Sequence, residues 1–204
     1  MGGITYDHEH NNVWITDNDG CISAYDKDDI LGNERYLKSK YKNIYVGDDL
    51  NNIFGDVSAA YITCHDNKLY VGNFHFGNNS VMKEYNILDD GMIDTDNCVK
   101  YNVSQFVQGV TFYEKDDKNY LITSSSFGKF LPSKLQIYDF DTMEKVNEIK
   151  TQKMMEEILV DGEQLITLYE SNAKIYKSND NDKDIIIMDI NKVLTKEWFF
   201  DILK

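Results

Sequence analysis

The chain repeats one pattern of apolar and polar positions four times. A short apolar run is followed by a polar turn and then by a second, more hydrophobic run. The pairs are Gly3-Ile4-Thr5-Tyr6 with Val13-Trp14-Ile15-Thr16, Ala60-Tyr61-Ile62-Thr63 with Leu69-Tyr70-Val71-Gly72, Gly109-Val110-Thr111-Phe112 with Tyr120-Leu121-Ile122-Thr123, and Glu157-Ile158-Leu159-Val160 with Leu165-Ile166-Thr167-Leu168. Between the members of each pair lie Asp7 to Asn12, Asp66-Asn67, Glu114 to Lys118 and Asp161-Gly162, residue types that tolerate the positive φ of hairpin turns.

A third run of β-branched and Tyr residues follows in each unit: Cys21 to Tyr25, Val81 to Tyr85, Lys134 to Tyr138 and Asp184 to Met188. A weaker, more polar fourth run follows at Asn43 to Val46, Cys98 to Tyr101, Lys145 to Ile149 and Trp198 to Phe200. The first strands recur at Ile4, Tyr61, Val110 and Ile158, intervals of 57, 49 and 48 residues, which is the period of a four-stranded propeller blade. A two-sheet sandwich predicts no such period. The expected fold is therefore all-β: a β-propeller domain over 1–204, with four blades of four antiparallel strands at about 2–50, 58–104, 107–152 and 155–204. Helical spacing is confined to Asp28–Lys38 and Met188–Leu203, the latter with Asp189 and Asn191 as candidate caps.

A propeller must close, because an open ring exposes the apolar faces of its end blades. The chain begins directly at the first strand, so either four blades close on themselves or a fifth blade lies upstream.

Charge narrows the partners. Asp and Glu number 35 against 21 Lys and Arg, a net charge of −14, which opposes binding to nucleic acid or to an anionic lipid surface. The most apolar stretch, Ile185 to Met188, is far short of the roughly 20 residues a spanning helix needs, so no membrane insertion is expected. Cys21, Cys64 and Cys98 have neither redox nor zinc spacing and are expected as small buried fillers.

Aligning the units places Gly3, Ala60, Gly109 and Glu157 at the start of the first strand, and Asp17, Asn73, Ser124 and Tyr169 or Glu170 at the end of the second. In a propeller these positions share one mouth of the central channel. Small residues suit a crowded axis, and Glu157 breaks that rule; its carboxylate must be hydrated, hydrogen-bonded or paired with a cation. The candidate ligand-binding mouth comprises Asp17, Asn18, Asn73, Gln108, Ser124, Glu157 and Glu170, with Glu156 adding to its oxygen-rich character. Calcium is the cofactor such a mouth suits, with Glu157, Glu170 and Asp17 as the metal ligands; a mouth of solvated rim residues needs no cofactor at all.

Other motifs point to structure. His8-Glu9-His10 lies in a hairpin turn and is expected in solvent, as are His65 and His75. Asp180, Asp182 and Asp184 alternate without the Gly and Glu of an EF-hand, and Asp17-Asn18-Asp19-Gly20 reads as a tight turn. Ser124-Ser125-Ser126-Phe127-Gly128 is not a nucleophile elbow. Phe74-His75-Phe76 offers aromatics for carbohydrate or peptide stacking, or for packing under the loop that follows.

Several phrases resemble a family of bacterial, mostly Gram-positive, secreted or surface propellers that includes the helveticin J type of bacteriocin. They are Gly2-Gly3-Ile4-Thr5-Tyr6-Asp7, Gln108-Gly109-Val110-Thr111-Phe112 and, most specifically, Tyr169-Glu170-Ser171 with Ala173 and Tyr176. The resemblance covers about residues 2 to 193; Glu156-Glu157 departs from the family's Glu-Gly. It implies a chain similar to the last four-fifths of a five-bladed protein, extracellular or at the cell surface in full-length form. It also implies a non-enzymatic, bacteriocin-like binding role toward a cell-envelope ligand or a protein, and a monomer is expected. The alternative is a calcium-dependent hydrolase of the lactonase-propeller type, with one carboxylate as general base beside the metal.

Overall fold

The computed structural model describes residues 2–17, 19–32, 37–47, 57–76, 80–170 and 183–195. They form four antiparallel sheets in which consecutive strands are neighbours, the strand order of propeller blades. Blade 1 is β1 (Ile4–Asp7), β2 (Asn12–Thr16), β3 (Cys21–Asp26) and β4 (Ser39–Tyr45); blade 2 is β5 (Val57–His65), β6 (Lys68–Phe74), β7 (Val81–Ile87) and β8 (Ile93–Asn102). Blade 3 is β9 (Val107–Lys115), β10 (Lys118–Ser125), β11 (Ser133–Asp139) and β12 (Glu144–Thr151). Blade 4 has β13 (Met155–Asp161), β14 (Gln164–Tyr169) and β15 (Ile185–Asp189) among the described residues; the fourth strand expected at Trp198 to Phe200 lies outside them. The chain is a β-propeller, and it divides into two compact units, Met1–Val107 and Gln108–Lys204.

The hairpins form where short polar residues accept positive φ. Asp66 and Asn67, at φ 48° and 53°, close β5 on β6 through the pairing His65↔Lys68. Asp116 and Asp117, at φ 51° and 58°, do the same for β9 and β10. Two consecutive left-handed residues give a turn whose twist matches that of the strands. In blade 1 the loop is longer, and Asp7 organises it by accepting the Glu9 and His10 amides.

Alternation then buries one set of side chains. In the first unit Trp14, Ile22, Ala24, Ala59, Ile62, Leu69, Val71 and Tyr85 make a continuous core between blades 1 and 2. Trp14 is fully buried and stacks on Tyr41 at 6.1 Å. Lys83, almost fully buried, donates to the Val46 and Gly47 carbonyls at 2.8 and 2.9 Å, and these hydrogen bonds offset the cost of burying its charge. In the second unit Ile122, Leu135, Ile137, Ile149, Met155, Ile158, Leu165 and Met188 play the corresponding part. The outer strand β8 is mostly exposed, matching the polarity expected of an edge.

The first helix is shorter than its pattern predicts, and the second is described as far as Thr195. α1 spans Lys27–Leu31, capped by Asp26, which accepts the Asp28 amide at 2.8 Å. α2 spans Ile190–Thr195, and Asp189 accepts the Asn191 amide at 2.9 Å, the cap that the sequence suggests. Five residues is too short for α1 to hold itself without its cap, and α2 buries Ile190 and Val193 in the core. No helix among the described residues is long and apolar enough to cross a membrane.

Two expectations fail. The cysteines are free and none is fully buried: Cys21 and Cys64 are half-buried, and Cys98 is exposed on the outer strand β8, where consecutive residues face solvent. His10 is not a solvated turn residue, because Asp7, itself buried, holds its ring at 2.8 Å; His8 packs its ring edge against Tyr6.

Candidate functional site

In the second unit the Glu156 carboxyl lies within reach of the charges of Glu170 and Glu157. The pairing Met155↔Tyr169 aligns the start of β13 with the end of β14, and the Glu170 amide donates to the Met154 carbonyl at 2.9 Å. A bulge lies between Met155 and Ile158, so two consecutive glutamates sit where the regular ladder is interrupted. Neighbouring β9 makes room for one of them. A Cβ on Gly109 would collide with Glu157 Oε1 and stand 3.1 Å from the Glu157 Cα, so glycine is required by the carboxylate opposite. Ser124, fully buried on β10, has its hydroxyl 3.3 Å from both the Gly109 and the Glu156 carbonyls, tying β9 and β13 together.

Both glutamates on β13 are half-buried, and their acidities reflect it. Burial, then the charges of Glu170 and Glu157, push the Glu156 carboxyl up to about 8. Burial pushes Glu157 up to about 7, partly offset by the Ile158 amide that donates to its Oε1 at 3.0 Å. Among the described residues no lysine, arginine or histidine forms an ion pair with any of the three. Near neutral pH the cluster therefore holds a proton or needs a cation.

The remaining candidates sit elsewhere or serve the fold. Gln108 is buried on β9 beside Gly109. Asp17 and Asn73 belong to the first unit and are committed locally. Asp17 Oδ1 accepts the Asp19 and Cys21 amides at 2.9 and 2.8 Å, the tight turn read from its sequence. Asn73 Oδ1 accepts the Val81 amide at 2.9 Å, closing the β6–β7 loop. Asn18, Asp180, Asp182 and the phrase from Ser171 to Tyr176 lie outside the described residues. Phe74 is buried and Phe76 half-exposed, both tilted on Phe106 at 5.6 and 5.4 Å, so that segment divides its aromatics between packing and surface. Glu156, absent from the metal set chosen by aligning strands, carries the largest upward carboxyl shift; the doubled Glu156-Glu157 was the signal for it.

Neither a protein-family profile nor a curated protein sequence matches the chain, so the helveticin J-type resemblance rests on the quoted phrases alone. Solved structures do match. The structure of a nidogen/laminin complex aligns with 93% of this chain and 59% of its own at 13% identity, with a TM-score of 0.53. Myxococcus xanthus glutaminyl cyclase aligns with 82% of this chain and 67% of its own at 9% identity, with a TM-score of 0.50. The WD40 domain of Neurospora crassa Pan2 aligns over 94% of this chain and 63% of its own at 12% identity, with a TM-score of 0.46. The chain thus spans about three-fifths of the length of the structures it matches first. At such identities the likeness concerns the fold, and one fold serves both binding and catalysis.

Proposed function

We propose that this chain is a non-enzymatic binding propeller, and that the Glu156, Glu157 and Glu170 cluster takes a cation, either calcium or the ammonium group of an organic ligand. The observation that carries this reading is a half-buried Glu156 carboxyl that feels the charges of Glu170 and Glu157, with no lysine, arginine or histidine ion pair to any of the three among the described residues. Oxygen donors at partly buried positions suit a hard cation, and a bound cation offsets both the burial and, at Glu156, the neighbouring charges that raise these carboxyl pKa values. The net charge of −14 draws cations and repels polyanions such as nucleic acid. The helveticin J-type phrases favour a bacterial protein working at the cell surface or outside it, on an envelope ligand or a protein. The raised pKa values also favour a second reading, in which Glu156 or Glu157 acts as general base in a calcium-dependent hydrolase.

Thermal unfolding with and without calcium at pH 8 tests the site. Bound calcium at 100 times its dissociation constant stabilises by about 2.7 kcal/mol, and Glu157→Gln abolishes that gain. An unchanged melting temperature with calcium, and with primary amines, overturns the cation reading. Hydrolysis of a lactone or ester panel that Glu157→Gln eliminates would replace binding by the hydrolase.

A further inference from the structure

Blade 4 has two faces built from the same kinds of residue, and only one is packed. On the packed face Ile158, Leu165 and Met188 join the core of the second unit. On the other face Leu159, Ile166 and Ile187 stand directly opposite one another across three strands, and Leu168 stands opposite Ile185 two residues along. Leu159, Leu168, Ile185 and Ile187 are 50%, 46%, 56% and 57% exposed. Scattered apolar side chains at a surface need no explanation, but a contiguous sheet face of five branched aliphatics is what a packed interface contains.

The charge around the face selects its occupant. Asp161, Gln164 and Asp189 form the next cross-strand row at one end, all exposed, with Glu163 in the adjoining turn. Lys183 precedes β15 at the opposite end, so complementary charge belongs along the Asp161 row. A second copy would bring together two bodies that each carry −14. We propose that this outer face of blade 4 docks a protein partner presenting an aliphatic β-surface edged by lysine or arginine. Aliphatic contact supplies the affinity, and the basic edge against Asp161 and Asp189 supplies orientation and a faster encounter.

A synthetic β-strand peptide alternating valine and lysine, titrated against the full chain, is the probe, and the valine–glutamate peptide is its control. The expected result is saturable binding of the lysine peptide, weaker binding of the glutamate peptide, and a loss of roughly tenfold or more on Ile187→Asp or Leu159→Asp. Those variants add negative charge, so attraction by charge alone would strengthen; binding that is unchanged or tighter overturns the proposal. Ile187→Ser removes the apolar group without adding charge and decides the matter if the aspartate variants do not fold. Absence of binding also overturns it. So does a concentration-dependent dimer in light scattering that Ile187→Asp dissolves, which would assign the face to a second copy.

Discussion

The second unit holds two groups of glutamates in opposite electrostatic states. Glu148 on β12 is held by Lys134 at 2.9 Å and Lys145 at 2.7 Å and accepts from Gln136 at 3.2 Å. Those donors, Lys145 first, pull its carboxyl down to about 2. Glu156 and Glu157, less than ten residues along, meet burial instead, joined at Glu156 by the charges of Glu170 and Glu157, and are pushed up to about 8 and about 7. The same residue type stabilises the fold in one place and opposes it in the other, because the first site supplies counter-charge and the second leaves it to a ligand. A structural ion pair completes itself; a binding site leaves part of the interaction to what it binds.

The largest expected effect comes from pH. Glu156 and Glu157 have folded-state values raised above the ordinary 4.5, so their contribution is fully present below that value and is lost as pH rises through about 7 to 8. Glu148 works the other way: its contribution is present above 4.5 and is lost as pH falls through about 2. Denaturant titration should place maximal stability between these windows, with a loss on the order of 3 kcal/mol by pH 9. A profile flat from pH 5 to 9 would refute the contrast.

Next in size is Gly109→Ala, expected to cost about 1 to 3 kcal/mol by driving a methyl group into the Glu157 carboxyl. The cost should shrink in the double variant with Glu157→Ala, and equal costs in both backgrounds would show that the carboxyl is not what the glycine accommodates. Glu156→Gln should stabilise by about 1 to 2 kcal/mol at pH 9, where the native residue is charged, and change little at pH 5. Equal melting-temperature shifts at the two pH values would contradict that. Smallest is Glu148→Gln, a partly exposed ion-pair group, for which about 1 kcal/mol is lost at pH 7 and less in high salt; a double-mutant cycle with Lys145→Met isolates the pair.

Much of this was legible in the sequence. The period near 50 residues, the Asp66-Asn67 turn and the polar outer strands are local statements, and each recurs in the structure. Aligning the units also marked Glu157 as the exception among small residues, and the structure shows its neighbour Gly109 shaped around it. What alignment could not supply was company. Asp17 shares the strand-end position of Ser124 and Glu170, yet its oxygen is committed to its own turn amides. His10 lies in a loop of polar residues, yet a buried aspartate three positions earlier holds it. The exposed aliphatic face of blade 4 has the same alternation as a buried one, since a pattern of period two distinguishes the two faces of a strand without saying which is covered.

By itself the sequence determined the strands, the turns and the propeller class, because φ/ψ preference and apolar alternation act between residues a few positions apart. The charge states of the glutamates and the covering of each sheet face were decided by tertiary structure alone. Burial and Coulomb energy depend on distance through space. Lys134, which helps neutralise Glu148, comes from the neighbouring strand β11, and Glu170, whose charge acts on Glu156, follows β14 rather than lying on β13.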